Sequence, residues 1–280
     1  MVIDRTGLAE FLRRHRESLQ PEDVGLPRGQ RHRTGGLRQE EVAALCCMST
    51  DYYARLERER GLRPSEKMIA SIAQGLHLSL DERDHLFRLA GHNPPRRGGV
   101  DEHINPGLLR IFDRLQDTPA EIITEFGETL RQTPLSVALT GDTTGYTGPD
   151  RSLGYRWFTD PTVRHLYVPE EHPFLTRMFA SNLREVATLR GPGSRAAHLV
   201  DLLLARSEEF RTVWDDHEIG IHPKEVKHFI HSELGALELN CQQLIDPDQA
   251  HCLLVYTAVP GSESYKKLQL LSVTGPQSLC

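Results

Sequence analysis

Four arginines, Arg28, Arg31, Arg33 and Arg38, fall within the stretch RGQRHRTGGLR, which also holds His32 and not one acid. Guanidinium groups at this density suit phosphate, because each can fork onto two oxygens and no neighbouring carboxylate cancels the charge. A solvated loop is the other reading of the same residues, and Gly29, Gly35 and Gly36 allow it. Immediately downstream, LRQEEVAALCCMSTDYYARLER runs from Leu37 to Arg58. There Thr50, Asp51 and Arg55 share a polar face with Tyr52 beside it, and an arginine so placed can bond both acceptors of a guanine edge. The chemistry on offer is recognition of duplex DNA.

That face needs elements to hold it. Val42, Ala43 and Cys46 fall on one side of a short helix, and Tyr53 and Leu56 on one side of the next. Helices this short are not stable alone, so their apolar stripes must close on each other and on neighbours, with Met48 filling the turn. Ser49 suits the N-cap of the second helix. The pattern is that of a helix-turn-helix; an ordinary helical hairpin inside a bundle is the alternative, which the adjoining arginine cluster disfavours. Beyond Gly61, Pro64 and Ser65 open a helix bearing Met68, Ile69, Ile72, Ala73 and Leu76. Ser79 and Glu82 have capping-box spacing for another bearing Leu86, Phe87 and Leu89. GHNPPRRGGVDEHIN, from Gly91 to Asn105, then breaks helical structure. The expected organisation is a first domain over 1–92, a linker over 93–105 and a second domain over 106–280. Arg96 and Arg97 suit either a solvated linker or backbone phosphate.

The run from Leu8 to Gly91 resembles the DNA-binding domain of the XRE family, the five-helix Cro and phage-repressor type. Its details resemble the actinobacterial branch that carries an MmyB-like domain, through DVGLPRGQRHRTGGLRQEEVA, STDYYARLE, RPS and LDERDHLFRLAG. The resemblance implies that Gln39 contacts a phosphate or base and that Thr50, Asp51 and Arg55 face bases. One departure is Cys47, where the family usually has glycine. Either the cysteine takes a left-handed backbone at some cost or the turn is reshaped.

In the second domain, Pro106–Gln116 reads as a helix and DTPAEIITEF as a turn and strand, with ETLRQTP a return strand or helix start. Residues 150–215 read as mostly helical, with Ser207 capping SEEFRTVWDDH. VKHFIHSELGALELNCQQL has two alternating runs about Gly235, and HCLLVYTAV a third strand. This is an α+β arrangement able to enclose a pocket. The segment resembles the MmyB-type ligand-binding domain, a PAS-like fold, through DTPAEIITEF, LLARSEEFRTVW, IHSELGALEL and VYTAVPGSES. The resemblance implies a transcriptional regulator with a fatty-acid-like ligand, although the chain is less typical over 141–156 and 169–193. The expected cavity wall is Phe126, Trp157, Phe158, Met178, Leu203, Phe210, Trp214, Leu239 and Tyr256, each equally suited to plain core. Arg206 and His231 are the expected carboxylate anchors, with a helix-end cap as the alternative for Arg206.

Other classes find less support. GxSxG, P-loop and strand-linked GxGxxG patterns are absent, so an enzyme is not expected, and a hydrolase with scattered Ser, His and Asp is the residual alternative. His217, His222, His228 and His231 lack chelating spacing, and no metal or other cofactor is expected. A third reading gives the second domain only dimerisation or partner docking.

Charge divides as the domains do. Residues 1–100 hold 17 Lys+Arg against 14 Asp+Glu, net +3, and residues 101–280 hold 16 against 25, net −9. The acidic balance of the whole chain therefore does not argue against DNA, since affinity follows the local patch. Five scattered cysteines form no disulfide framework, and the adjacent Cys46 and Cys47 bridge poorly. No signal-like start or membrane-length apolar run is evident, so a cytoplasmic protein without a membrane partner is expected. One small reader makes few contacts, so a homodimer on an inverted-repeat operator is expected.

Overall fold

Serine and aspartate caps set the helix starts of the N-terminal part. In the computed structural model, which describes residues 2–26, 35–95, 102–246 and 250–274, Asp4 caps α1 (Arg5–Ser18) and Ser49 caps α3 (Thr50–Glu57). Ser65 caps α4 (Glu66–Gly75), and Ser79 with Glu82 forms a capping box on α5 (Leu80–Leu89). Each such cap contributes about 1 kcal/mol. Between them α2 (Gln39–Leu45) begins where Glu41 accepts from the Arg38 backbone N–H at 2.6 Å. The helices meet in one core that includes Leu12, Val42, Tyr53, Ile69, Ile72 and Leu86.

Packing divides the chain into compact units of 1–114 and 115–280. The helix expected at the head of the second domain, now α6 (Pro106–Phe112), therefore packs with the first unit. The cause lies just before it. Ile104 is buried and its N–H donates to Gln74 Oε1 at 2.9 Å, while His103 Nε2 lies 2.6 Å from the Leu78 carbonyl. Asp113, directly after α6, lies 3.5 Å from His77 Nε2. The expected linker thus differs from the observed division, since residues 102–105 are anchored on the first unit. Arg28, Arg31, Arg33, Arg96 and Arg97 lie outside the described residues.

In the second unit, alternation of apolar and polar residues makes strands. Its described strands β1 (Ala120–Ile123), β2 (Thr129–Gln132), β3 (Val226–His231), β4 (Gly235–Asp246) and β5 (His251–Thr257) form one antiparallel sheet ordered β2-β1-β5-β4-β3. Leu254 of the central β5 pairs with Glu121 on one side and Gln243 on the other. Along β4, Leu237, Leu239 and Cys241 are buried and alternate with exposed Glu238, Asn240 and Gln242.

Helices supply the other layer. They are α7 (Pro134–Thr140), α8 (Leu153–Thr159), α9 (His172–Arg190), α10 (Arg195–Arg206), α11 (Glu208–Asp215) and α12 (Glu263–Thr274). Ser207 caps α11, accepting from Phe210 N–H, as expected. The sequence reading did not include α12, while ETLRQTP, read as a return strand or a helix start, holds β2 and then the Thr133 cap and first residue of α7. Leu135 and Leu139 of α7 and Leu268 and Leu271 of α12 join Leu237 and Leu239 in a single apolar cluster. The unit is α+β.

Candidate functional site

Two sites emerge, one in each unit. In the first, α2 and α3 are held at a fixed angle by a buried carboxylate. Glu57, at the end of α3, is 3% exposed and receives Arg16 Nε at 2.7 Å, Arg16 Nη2 at 3.2 Å and Gln39 Nε2 at 2.7 Å. Three helices thus share one charge. Gln39, expected on DNA, has its amide engaged within the domain.

The turn between the helices is equally constrained. Cys47 has φ 52°, so this cysteine does take the left-handed backbone. Cys46 beside it is buried, its carbonyl accepts from Ser71 Oγ at 2.8 Å, and burial, with Cys47 adding, pushes its thiol up to about 12. Gly75 of α4 lies against it. A Cβ on that residue would sit 2.6 Å from Cys46 Sγ, so only glycine lets α4 pack this closely on the turn.

What these contacts present outward is short and polar. Ser49 accepts from Tyr52 N–H at 3.2 Å, and Ser49, Thr50, Asp51 and Arg55 are exposed, with Tyr52 half-buried. Arg55 and Asp51 pair at 3.1 Å one turn apart, with side chains 52% and 79% exposed. A pair so exposed is weak and can be exchanged for other partners. Arg38 is also exposed, with Glu40 3.3 Å from its guanidinium. Tyr53 and Leu56 point the other way, into the core.

The second site is a cavity of about 600 Å³ within the second unit. Its floor is one face of the sheet. Glu121 and Ile123 of β1 line it while Ala120 and Ile122 are fully buried on the opposite side, and Lys227 and Phe229 of β3, Cys241 and Gln243 of β4 and Cys252, Leu254 and Tyr256 of β5 continue the surface. Leu175, Met178, Phe179, Asn182, Leu183 and Val186 close it at helical spacing along α9. Phe126, Arg156 and Tyr167 add to the wall.

Of the residues expected there, Phe126, Met178 and Tyr256 line the cavity. The others do not, and the reading is corrected for them. Leu203, Phe210 and Trp214 belong to the cluster that joins α9 to α10 and α11, behind the wall, where Phe158 also packs on Phe210. Trp157 turns its Nε1 to Thr176 Oγ1 at 2.9 Å, and Leu239 sits under α7 and α12. Arg206 ends α10 and donates to the Tyr155 hydroxyl at 2.6 Å. His231 builds the β3–β4 turn: Nδ1 accepts from Glu233 and Leu234 N–H at 3.2 and 3.3 Å, which leaves Nε2 to donate to the Ala138 carbonyl at 3.1 Å.

The polar groups that line the cavity include the charged side chains of Glu121, Glu125, Arg156, Glu185 and Lys227. Burial pushes the Glu121 carboxyl up, against hydrogen bonds from Tyr256 at 2.9 Å and Thr129 at 3.5 Å and the charge of Arg156. Arg156 donates to the carbonyls of Asp150 and Arg151 and lies 4.0 Å from the Tyr146 ring centroid. Burial holds the Lys227 amine below its ordinary value. A charged residue alternating with an apolar one in a buried strand was the available signal. AEII places Glu121 with Ile123, and VKHF places Lys227 with Phe229.

Comparison with known proteins adds two matches. Residues 104–271 match the model of the MmyB-like transcription regulator ligand binding domain, and residues 8–86 that of a helix-turn-helix domain. A search among curated proteins returned no match.

Proposed function

As the chain belongs to the family of MmyB-like transcription regulators, we propose that it reads a specific DNA sequence through α3 and that a small hydrophobic, fatty-acid-like molecule in the cavity changes that binding. The coarser statement, a DNA-binding transcription regulator with a ligand-binding domain, follows from the two family matches. The finer reading rests on one observation above all: a cavity of about 600 Å³ between a sheet face and α9. A cavity of that size, with more apolar than polar wall and charged groups at particular points, suits a small and mostly apolar molecule.

On the DNA side, Arg55, Thr50 and Asp51 take base edges, and Ser49, Tyr52 and Arg38 take the backbone beside them. Arg28, Arg31 and Arg33 are assigned to phosphates from their sequence alone. Gln39 is reserved for positioning through Glu57. Two copies on an inverted repeat give the affinity that one reader lacks. A ligand can act only by favouring one arrangement of those copies over another.

Native mass spectrometry of the purified chain, followed by organic extraction, tests the ligand. About one fatty acid or similar lipid per chain is the expected result. A chain that emerges empty and takes up no added lipid contradicts the sensor reading and favours dimerisation or docking as the role of the second unit.

A further inference from the structure

Charges inside a largely apolar cavity must be answered within the protein or by what enters it, because an unpaired buried charge costs several kcal/mol. Five charged side chains among the described residues line this cavity, and four of them are answered: Glu125 receives Arg190 Nε and Nη2, each at 2.8 Å, and Glu185 receives the Gly220 N–H at 2.6 Å. Glu121 receives Tyr256 and stands within the field of Arg156, and Arg156 is held by two backbone carbonyls and the Tyr146 ring. Lys227 is different. Among the described residues its Nζ has no hydrogen-bond or ion-pair partner. The acid within electrostatic reach is Glu171, directly before α9, and that carboxylate is already taken by Lys224 Nζ and His228 Nδ1, each at 3.1 Å.

We propose that Lys227 is the anion anchor of the cavity, so that the ligand is an apolar chain ending in a single negative charge, a carboxylate, rather than a neutral lipid. One ammonium answers one charge, which favours a carboxylate over a phosphate dianion. The neighbours agree with this polarity. Cys241 and Phe229 flank Lys227 on the sheet face and offer no competing acceptor of comparable strength, while Leu175 and Met178 of α9 supply apolar wall for the chain. Burial already weakens the charged form of the amine. An entering carboxylate restores it and gains a charge-assisted hydrogen bond. Arg206 and His231 cannot serve, since both are committed elsewhere.

The inference rests on the cavity being a lipid site, and the test separates the two. Binding of dodecanoate and of dodecan-1-ol to the full-length chain is measured by calorimetry for the wild type, Lys227→Gln and Lys227→Arg. The wild type is expected to prefer the carboxylate by about tenfold or more. Lys227→Gln is expected to lose that preference while keeping its affinity for the alcohol, which also shows that the variant is folded. Lys227→Arg is expected to keep it. Equal affinities in the wild type, or a preference that survives Lys227→Gln, overturn the anchor and leave the lipid site standing. Binding of neither probe overturns both.

Discussion

Gln39 Nε2 donates to Glu57 Oε2 at 2.7 Å, joining the first residue of α2 to the last residue of α3. Arg16 of α1 completes the junction on the same carboxylate. The angle between the paired helices is thereby set by a polar contact as well as by the apolar seam. Glu57→Ala removes the buried carboxylate from Arg16, which is 14% exposed and keeps the Leu37 carbonyl at 3.0 Å and the exposed Glu17 at 3.3 Å, and such a loss costs about 3 kcal/mol. Amide exchange in α1 and α3 is expected to speed by about a hundredfold. Rates within a few-fold of the wild type would show that the junction is not structural.

Arg55 stands on the exposed side of the same helix, paired with Asp51. Arg55→Ala is expected to relax preference at one base pair of a selected site by about 1–3 kcal/mol, with affinity for unrelated duplexes little changed. Anisotropy titrations on single-base variants of that site measure it. An unaltered ranking of the variants removes Arg55 from base contact.

Cys47 occupies a backbone region that costs a β-carbon-bearing residue about 1 kcal/mol or more. Cys47→Gly is expected to stabilise the first unit by about 0.5–1 kcal/mol, the gain being trimmed by the freer unfolded chain. Thermal unfolding followed by circular dichroism gives the answer. A lower transition temperature would mean that the thiol makes a contact worth more than the strain.

Glu121 gives stability a pH dependence of definite sign. Burial raises its folded carboxyl above the ordinary value of 4.5, so the folded state holds the proton more firmly than the unfolded chain. Its contribution is full below 4.5 and is lost as pH rises through the folded value. Glu121→Gln cannot ionise. The difference in transition temperature, variant minus wild type, should therefore grow from pH 4 to pH 7, and a flat difference would place the charge of Glu121 in solvent.

The helices of the first unit were legible because their signals are local. Ser49, Ser65 and Ser79 cap where their spacing says, and Val42, Cys46, Tyr53 and Leu56 bury as their period requires. Gln39 was misread for a physical reason. Its partner lies 18 residues away, and nothing within α2 tells that a glutamate on another helix needs a donor. The boundary was drawn at proline and glycine, yet Ile104 and His103 beyond them are anchored on the first unit by contacts to Gln74 and Leu78.

In the second unit the strands were legible from alternation, but the cavity wall was not. Large aromatic residues drew attention, and Trp157, Phe210 and Trp214 prove to fill helix–helix seams. The wall is made instead of other aromatic residues, such as Tyr167, Phe179 and Phe229, with aliphatic and charged side chains whose inward direction depends on which sheet face α9 covers. Only Glu121 and Lys227, charged at positions that alternate with apolar ones, carried a mark of it.

The central claim is that occupancy of the cavity alters DNA binding. The direct measurement is the affinity of the chain for a duplex selected from a random pool, taken with lipid extracted and again after reloading with dodecanoate. The account predicts a shift of about fivefold or more between the two states. Equal affinities for protein shown to be empty and protein shown to be loaded would contradict it.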